Sequence, residues 1–423
     1  MKKRVVVTGM GVVSPLGTGT GPLWQRLMEG KSGVRAIDRF PVSHLASRVG
    51  GLVPLGSGPG ELDLEKEFSR REVRNNDAFI LYARKAADEA LADARFAPQD
   101  AQEKERVGVM IGSAVGGFST IAKGSLDFST GGESALSVYF ITAQFANLAS
   151  GQVVIAHGFG GPNFALMCAC ASGAEAIATA ARAILLGEAD VVVAGGSDAA
   201  VDPLLIAGFT RIHALSTHFN DSPQCASRPF DTARDGFVVA EGAGILILED
   251  YEHAKSRGAQ IQAELAGYAS VSDAYHITAS HPQGLGEQRA LRLALQRAGI
   301  SPDEVDYLNA HGTGTKVGDA SELRAIISVF GADARLAISS TKGAMGHTFG
   351  AAGAIEAIVS ILAIRHGACP PTLNLEKPDD EFAALNLVPR EAQERRVRVV
   401  VSNSYGFGST KVALVFSQGE TGS

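Results

Sequence analysis

The chain has 423 residues, 45% hydrophobic and 20% charged, which is enough apolar material to bury a large core as two fused domains or one large one. A formal net charge of -7 gives no electrostatic reason to bind nucleic acid or an anionic membrane, although a local basic patch can still receive an acidic protein. No segment approaches the roughly 20 apolar residues of a membrane span, and four cysteines without framework spacing fit a reducing cytoplasm better than a secreted disulfide scaffold.

In chain order, MKKRVVVTGMGVVSPLG opens with a basic start, but its apolar run is short and broken by glycines, so it reads as a first strand and turn rather than a signal peptide. It lacks the spacing of a dinucleotide fingerprint. GSGPGELD, near residue 56, is the most loop-like stretch. The runs DAFILYARKAADEALADA, VGVMIGS, AEAIATAARAILLG, VVVAGGSD and GILILED then alternate alanine-rich helices with β-branched strands. The rhythm restarts after residue 260 with IQAELAGYAS, ALRLALQRAGI, VDYLNAHGTGT, ASELRAIISVF, AISSTKGAMGH, AIEAIVSILAIRHG and VVVSNSYGFG. This predicts an α/β protein of two halves of similar plan, residues 1–255 and 256–423, although identity between them is too low to establish a repeat. Glycine clusters fall where strands should end, the places where an open α/β sheet presents ligand sites.

Three stretches carry chemistry. In MCACASGA, an apolar run passes into a small-residue helix at Cys170. A zinc site is excluded, because Cys168 and Cys170 have no second ligand pair and Cys225 and Cys369 stand alone. A thiol at a helix N-terminus is favoured as thiolate by the helix dipole, and neighbouring N–H groups can hold an oxyanion. Cys168 reads as a buried small hydrophobe. NAHGTGTKVGDASE places His311 at a strand end before a glycine-threonine loop, and SSTKGAMGHTFGAAGAIEA places Lys342 and His347 in another. A hydrolase would want a base oriented by a carboxylate. Two histidines suit a different task, donating two neutral N–H groups to one carbonyl as an enolate forms.

These residues resemble those of the β-ketoacyl-acyl-carrier-protein synthases, most closely the synthase II type. The similarity runs over nearly the whole chain through RVVVTGMGVVSPLG, CACASG, ASRPFDTARDGFVVAEGAG, LEDYEHAKSRGA, SDAYHIT, NAHGTGT, SSTKGAMGH, PPTLNL and NSYGFG. The resemblance implies a thiolase-like fold, two pseudo-repeated α/β halves in a five-layer α-β-α-β-α sandwich, usually as a homodimer. It implies that Cys170 is the acylated nucleophile, that His311 and His347 form the decarboxylation pair, and that Lys342 and Glu322 are the ion pair behind them. Thr313 and Thr315 match the threonines on the phosphopantetheine arm, and Phe407 matches the gating phenylalanine, whose N–H joins that of Cys170 as the oxyanion hole. Val115 and Tyr139-Phe140 occupy places that line or cap the acyl pocket, the pair reaching across the dimer. The implied reaction lengthens an acyl chain with malonyl carrier protein and needs neither metal nor redox cofactor.

The chain also departs from the family. Gly314 and Lys316 in HGTGTKVGD resemble polyketide ketosynthases, and the ending departs at Tyr405, Ser409 and Lys411. Of the basic residues that receive an acidic acyl carrier protein, Arg71 and Arg74 have counterparts, while Asn75, Ser134, Ala135 and His213 replace positive residues and Arg211 and Lys123 offer compensation. The alternatives are a type II polyketide or specialised-lipid ketosynthase with a dedicated carrier, and a non-catalytic chain-length partner, which would lack the nucleophile. A degradative thiolase would carry a second cysteine where NSYGFG stands.

Overall fold

The computed structural model describes residues 3–332 and 335–419. Five strands of the first half are β1 (Val5–Ser14), β2 (Val107–Gly112), β3 (Asn163–Leu166), β4 (Val191–Ala199) and β5 (Glu241–Asp250). Five of the second are β6 (Ala263–Ser272), β7 (Tyr307–Asn309), β8 (Ala337–Ser339), β9 (Val399–Tyr405) and β10 (Thr410–Ser417). Hydrogen bonding orders the first set β1-β5-β4-β2-β3 and the second β6-β10-β9-β7-β8. In both, the first two pairings are antiparallel and the last two parallel. Order and direction therefore repeat step for step, which establishes the pseudo-repeat that sequence identity is too low to reveal. The two sheets join where Val6 and Val7 pair with Glu264 and Ala263.

Helices complete five layers. α1 (Ala78–Asp93) packs on β1, β5 and β4, and α2 (Asn147–His157) on β2 and β3, forming one outer layer. α4 (Leu285–Ala298) covers β6 and β10 on the far side, with α5 (Lys316–Phe330) beside it. Between the sheets lie α3 (Ser172–Leu186), touching β4, β2 and β10, and α6 (Ala352–His366), touching β9 and β5. The windows Ala169–Leu186 and Phe349–His366 are apolar and long enough to cross a membrane, but 72% and 89% of them is buried inside the protein. They are all-round hydrophobic because they have protein on every side.

The glycines of TGMG have a packing role. A Cβ at Gly9 would lie 2.2 Å from Ala90 O and one at Gly11 2.0 Å from Ala86 O, so both let α1 sit directly on β1. The central helices cross by the same device. A Cβ on Gly173 would be 2.5 Å from Gly350 O, and one on Gly353 would be 2.9 Å from Ala174 N. The helix starts of the two halves thus touch backbone to backbone, and that contact sets the position of the site.

Candidate active site

After β3 the chain turns into α3 through Met167–Ala171. Ala169 sits at φ 49, left-handed backbone that costs a residue with a side chain about 1 kcal/mol. Ser172 holds the turn: its Oγ accepts from Cys168 N–H at 2.9 Å and donates to Ala169 O at 2.6 Å. Cys170 is thereby presented, 9% exposed, to a cavity of about 460 Å³. Burial pushes its thiol up to about 12, opposed by the nearby charge of Lys342. Desolvation thus works against the thiolate that a helix start favours.

His311 and His347 reach the same cavity from the other half. The His311 loop is tied down by two acids on α5. Glu322 accepts the N–H groups of His311 at 2.9 Å and Gly312 at 2.7 Å, and Asn403 Nδ2 at 3.1 Å. Asp319 accepts those of Thr313 and Gly314 at 3.0 and 3.1 Å. In HGTGTKVGDASE, the helix therefore returns its own carboxylates to the loop that precedes it. His347 donates its backbone N–H to Val238 O at 2.7 Å, and its ring stacks on Phe349 with centroids 4.9 Å apart and meets the Phe237 edge at 5.4 Å.

The two imidazoles lie 5.4 Å apart, nearly perpendicular at 86°. Burial first, then the charge of Lys342, holds both well below the ordinary imidazole range, so each is neutral at physiological pH. Each Nδ1 is buried and has no hydrogen-bond partner among the described residues. The site therefore offers one thiol and two neutral imidazoles to whatever occupies the cavity. Val115, Thr313, Thr315, Glu322 and Phe407 line it as well, with the two threonine hydroxyls 3.0 Å apart.

One expectation needs correction. Lys342, 1% exposed, pairs with Glu356 and not with Glu322. Burial pushes Glu356 up to about 7 and the ammonium beside it opposes the shift. Glu356 was legible in principle, as a lone acid in the apolar run GAAGAIEAIVSIL, where an isolated buried charge needs a partner. Phe140, expected to reach the acyl pocket across a dimer, lines in its own chain a separate space of about 130 Å³ with Arg74, Lys123 and Tyr139. Arg71 donates to Tyr139 Oη at 3.2 Å, while Arg211 lies elsewhere, beside His213 and His218. The sequence reading also missed Asp198, which accepts Ser113 Oγ at 2.6 Å and the N–H groups of Ala114 at 2.8 Å and Gly350 at 2.6 Å. It joins the two halves behind the site; burial pushes it up to about 6, against those hydrogen bonds.

Comparison with known proteins agrees with this geometry. The family model "Beta-ketoacyl synthase, N-terminal domain" matches residues 2–254, and "Beta-ketoacyl synthase, C-terminal domain" matches residues 262–376. The mitochondrial 3-oxoacyl-[acyl-carrier-protein] synthase of Arabidopsis thaliana is 47% identical, over 98% of this chain and 93% of that protein. 3-oxoacyl-[acyl-carrier-protein] synthase 2 of Rhizobium meliloti is 46% identical over 98% of each. Among solved structures, a type II polyketide ketosynthase in complex with its acyl-carrier protein superposes with a TM-score of 0.90 at 34% identity, covering 99% of this chain and 100% of that one. With both family models spanning most of its length and relatives near half identical from end to end, this chain belongs to the β-ketoacyl synthase family.

Proposed function

We infer that the chain catalyses decarboxylative Claisen condensation, joining an acyl group held on Cys170 to malonyl-acyl carrier protein to give 3-oxoacyl-acyl carrier protein and carbon dioxide. The observation that carries this is one buried thiol facing two neutral imidazoles across one cavity. In the first half-reaction Cys170 Sγ displaces the carrier thiol from its thioester, and the proton lost by Sγ ends on the departing sulfur. In the second, His311 and His347 donate to the thioester carbonyl of the malonyl group. The carbon–carbon bond to the carboxylate breaks, its electron pair becomes an enolate, and the enolate carbon attacks the acyl-Cys170 carbonyl. Collapse of the tetrahedral oxyanion expels Sγ, which takes up one proton. Neutral imidazoles are the useful form, since they donate without protonating the enolate carbon.

Elongation of fatty acids is favoured over the polyketide reading. The curated relatives named for 3-oxoacyl synthesis reach 40–47% identity, whereas the ketosynthase of the polyketide complex stands at 34%. An acidic carrier protein is the partner, in keeping with that solved complex of a related ketosynthase and its carrier.

A homodimer is proposed on the exposed apolar residues beside the nucleophile turn. β3 is an edge strand with Phe164 50% exposed, and Met167 follows at 60%. Leu126, Phe128, Val138 and Ile141 add further exposed apolar side chains in the segment that contains Phe140. Four free cysteines support the proposal of a cytoplasmic setting.

The test is mass spectrometry of products from a panel of acyl-carrier thioesters with malonyl carrier protein, run beside Cys170→Ala. A product two carbons longer, absent with the variant, is expected. Elongation that persists in Cys170→Ala would sink the assignment. Light scattering on the eluting protein reads the dimer directly, and a monomer mass at micromolar concentration would remove it.

A further inference from the structure

The mechanism uses no group from a second buried charge cluster that reaches the same cavity. Lys411 is 3% exposed, and its Nζ lies 3.1 Å from Asp273 Oδ2 and 3.7 Å from Glu287 Oε1. Both carboxylate side chains are 1% exposed. Burying an ammonium is expensive, and such a group persists where it fixes something. Here it joins three elements: β10, which carries Lys411; the chain leaving β6, which carries Asp273; and α4, whose first turn carries Glu287. The space is shaped for it, since a Cβ at Gly286 would fall 2.4 Å from Asp273 Cβ and 3.3 Å from Lys411 Cγ.

What lies above the cluster is the hairpin between β9 and β10, residues 405–411, with Tyr405 and Lys411 directly opposed. Its tip is tied to the 273–277 segment by two backbone hydrogen bonds, Asp273 N–H to Ser409 O at 3.1 Å and Gly408 N–H to Ile277 O at 2.8 Å. Its near arm is wedged against the nucleophile turn, because Gly406 leaves no room for a Cβ beside Cys168 O. Its Tyr405 ring sits 5.4 Å from the His311 ring, with the Lys411 ammonium 5.6 Å from its other neighbourhood, the Tyr405 centroid. The hairpin thus touches both the thiol turn and a histidine, and Lys411 is the side chain that anchors its far arm.

We propose that Lys411 is a positioning residue, whose ion pair with Asp273 pins the Tyr405–Lys411 hairpin against the Cys170 turn and so sets the geometry in which Cys170 is acylated. Asp273 supplies the tie and Glu287 only adds charge. The proposal rests on Cys170 being the acylated thiol, but part of its test needs no turnover.

Two single variants separate a pin from simple charge balance. Asp273→Asn and Glu287→Gln each leave one buried cation facing one buried anion, so a charge-balancing role for Lys411 predicts the same behaviour from both. The pin predicts a difference. Asp273→Asn should slow single-turnover acylation of Cys170, read by intact mass, by roughly 10–100-fold, and speed hydrogen exchange at the Gly408 amide. Glu287→Gln should leave both within about twofold of the parent, a spread below 0.5 kcal/mol. Lys411→Met combined with Glu287→Gln keeps the net charge of the cluster and cuts the tie from the other end, so it should reproduce the Asp273→Asn result at a comparable melting temperature. Equal acylation and equal Gly408 exchange in Asp273→Asn and Glu287→Gln would overturn the proposal. Faster Gly408 exchange in a protein whose Cys170 is never acylated would support the pin and sink the condensing reading instead.

Discussion

Replacing Gly406 with alanine should disable the nucleophile while leaving the fold standing. Gly406 lies outside the left-handed region, so an alanine suffers no backbone penalty there, and the whole effect is steric. The new Cβ would lie 2.3 Å from Cys168 O and 3.4 Å from Ala171 N, and ordinary contact begins near 3.4 Å. The hairpin and the Cys170 turn must therefore separate by about 1 Å, with backbone on both sides and no flexible side chain to give way. A shift of that size in a reacting group costs on the order of 100-fold in rate, while overpacking at one point costs about 1–3 kcal/mol of stability. The assay is a rapid-quench time course of acyl-Cys170 formation by intact mass, with a melting curve of the same preparation. An acylation rate within threefold of the parent, at unchanged melting temperature, would refute the claim that the two turns are held in register by this contact.

Three further outcomes follow from the same geometry. Glu322→Gln keeps the shape but sets an NH₂ group against at least one of the three donors now bound there, so the protein should lose about 1–3 kcal/mol in a denaturant titration, and carbon dioxide release should fall more than Cys170 acylation. Gly173→Ala puts a Cβ 2.5 Å from Gly350 O at the crossing of the central helices and should lower the melting temperature sharply, whereas Gly208→Ala, which meets nothing within 4 Å, should be neutral or slightly stabilising. Because burial and Lys342 depress both imidazoles, malonyl decarboxylation should stay flat as pH falls through 6.5, the point where an ordinary histidine gains its proton. A base with a depressed value is protonated only further down, so the acid limb lies lower. Removing the cation in Lys342→Met raises both histidines and should move that limb upward; a limb already centred at 6.5 in the parent would count against neutral imidazoles.

The alternation of strand and helix, the three chemical loops and the family resemblance were all legible because local patterns carry them. Cys170, His311 and His347 each sit at the junction of a strand and a following helix or loop, and those junctions can be read from glycine and small-residue clusters. The partner of Lys342 was not legible by matching alone. Glu322 and Glu356 are both glutamates on helices that follow a histidine loop, and only the packing of α6 between the sheets decides which one meets the ammonium. The depth of burial of Cys170 was not legible for a related reason. A helix dipole can be inferred from a helix start, but the desolvation that opposes it depends on how many elements from the other half close over the thiol. The glycines of TGMG show the same limit: their spacing excludes a phosphate loop, and their use becomes plain only once Ala86 and Ala90 are seen lying on them.

The contact between the starts of α3 and α6 has a mechanical consequence. A Cβ on Gly173 would fall 2.5 Å from Gly350 O and one on Gly353 2.9 Å from Ala174 N, and beside this crossing the Asp198 carboxylate accepts the N–H groups of Ala114 and Gly350 from the two halves. No compressible side chain lies at the crossing, so a displacement of one half is passed directly to the other. The thiol, carried by the first half, and the imidazoles, carried by the second, therefore keep their spacing as parts of one rigid body.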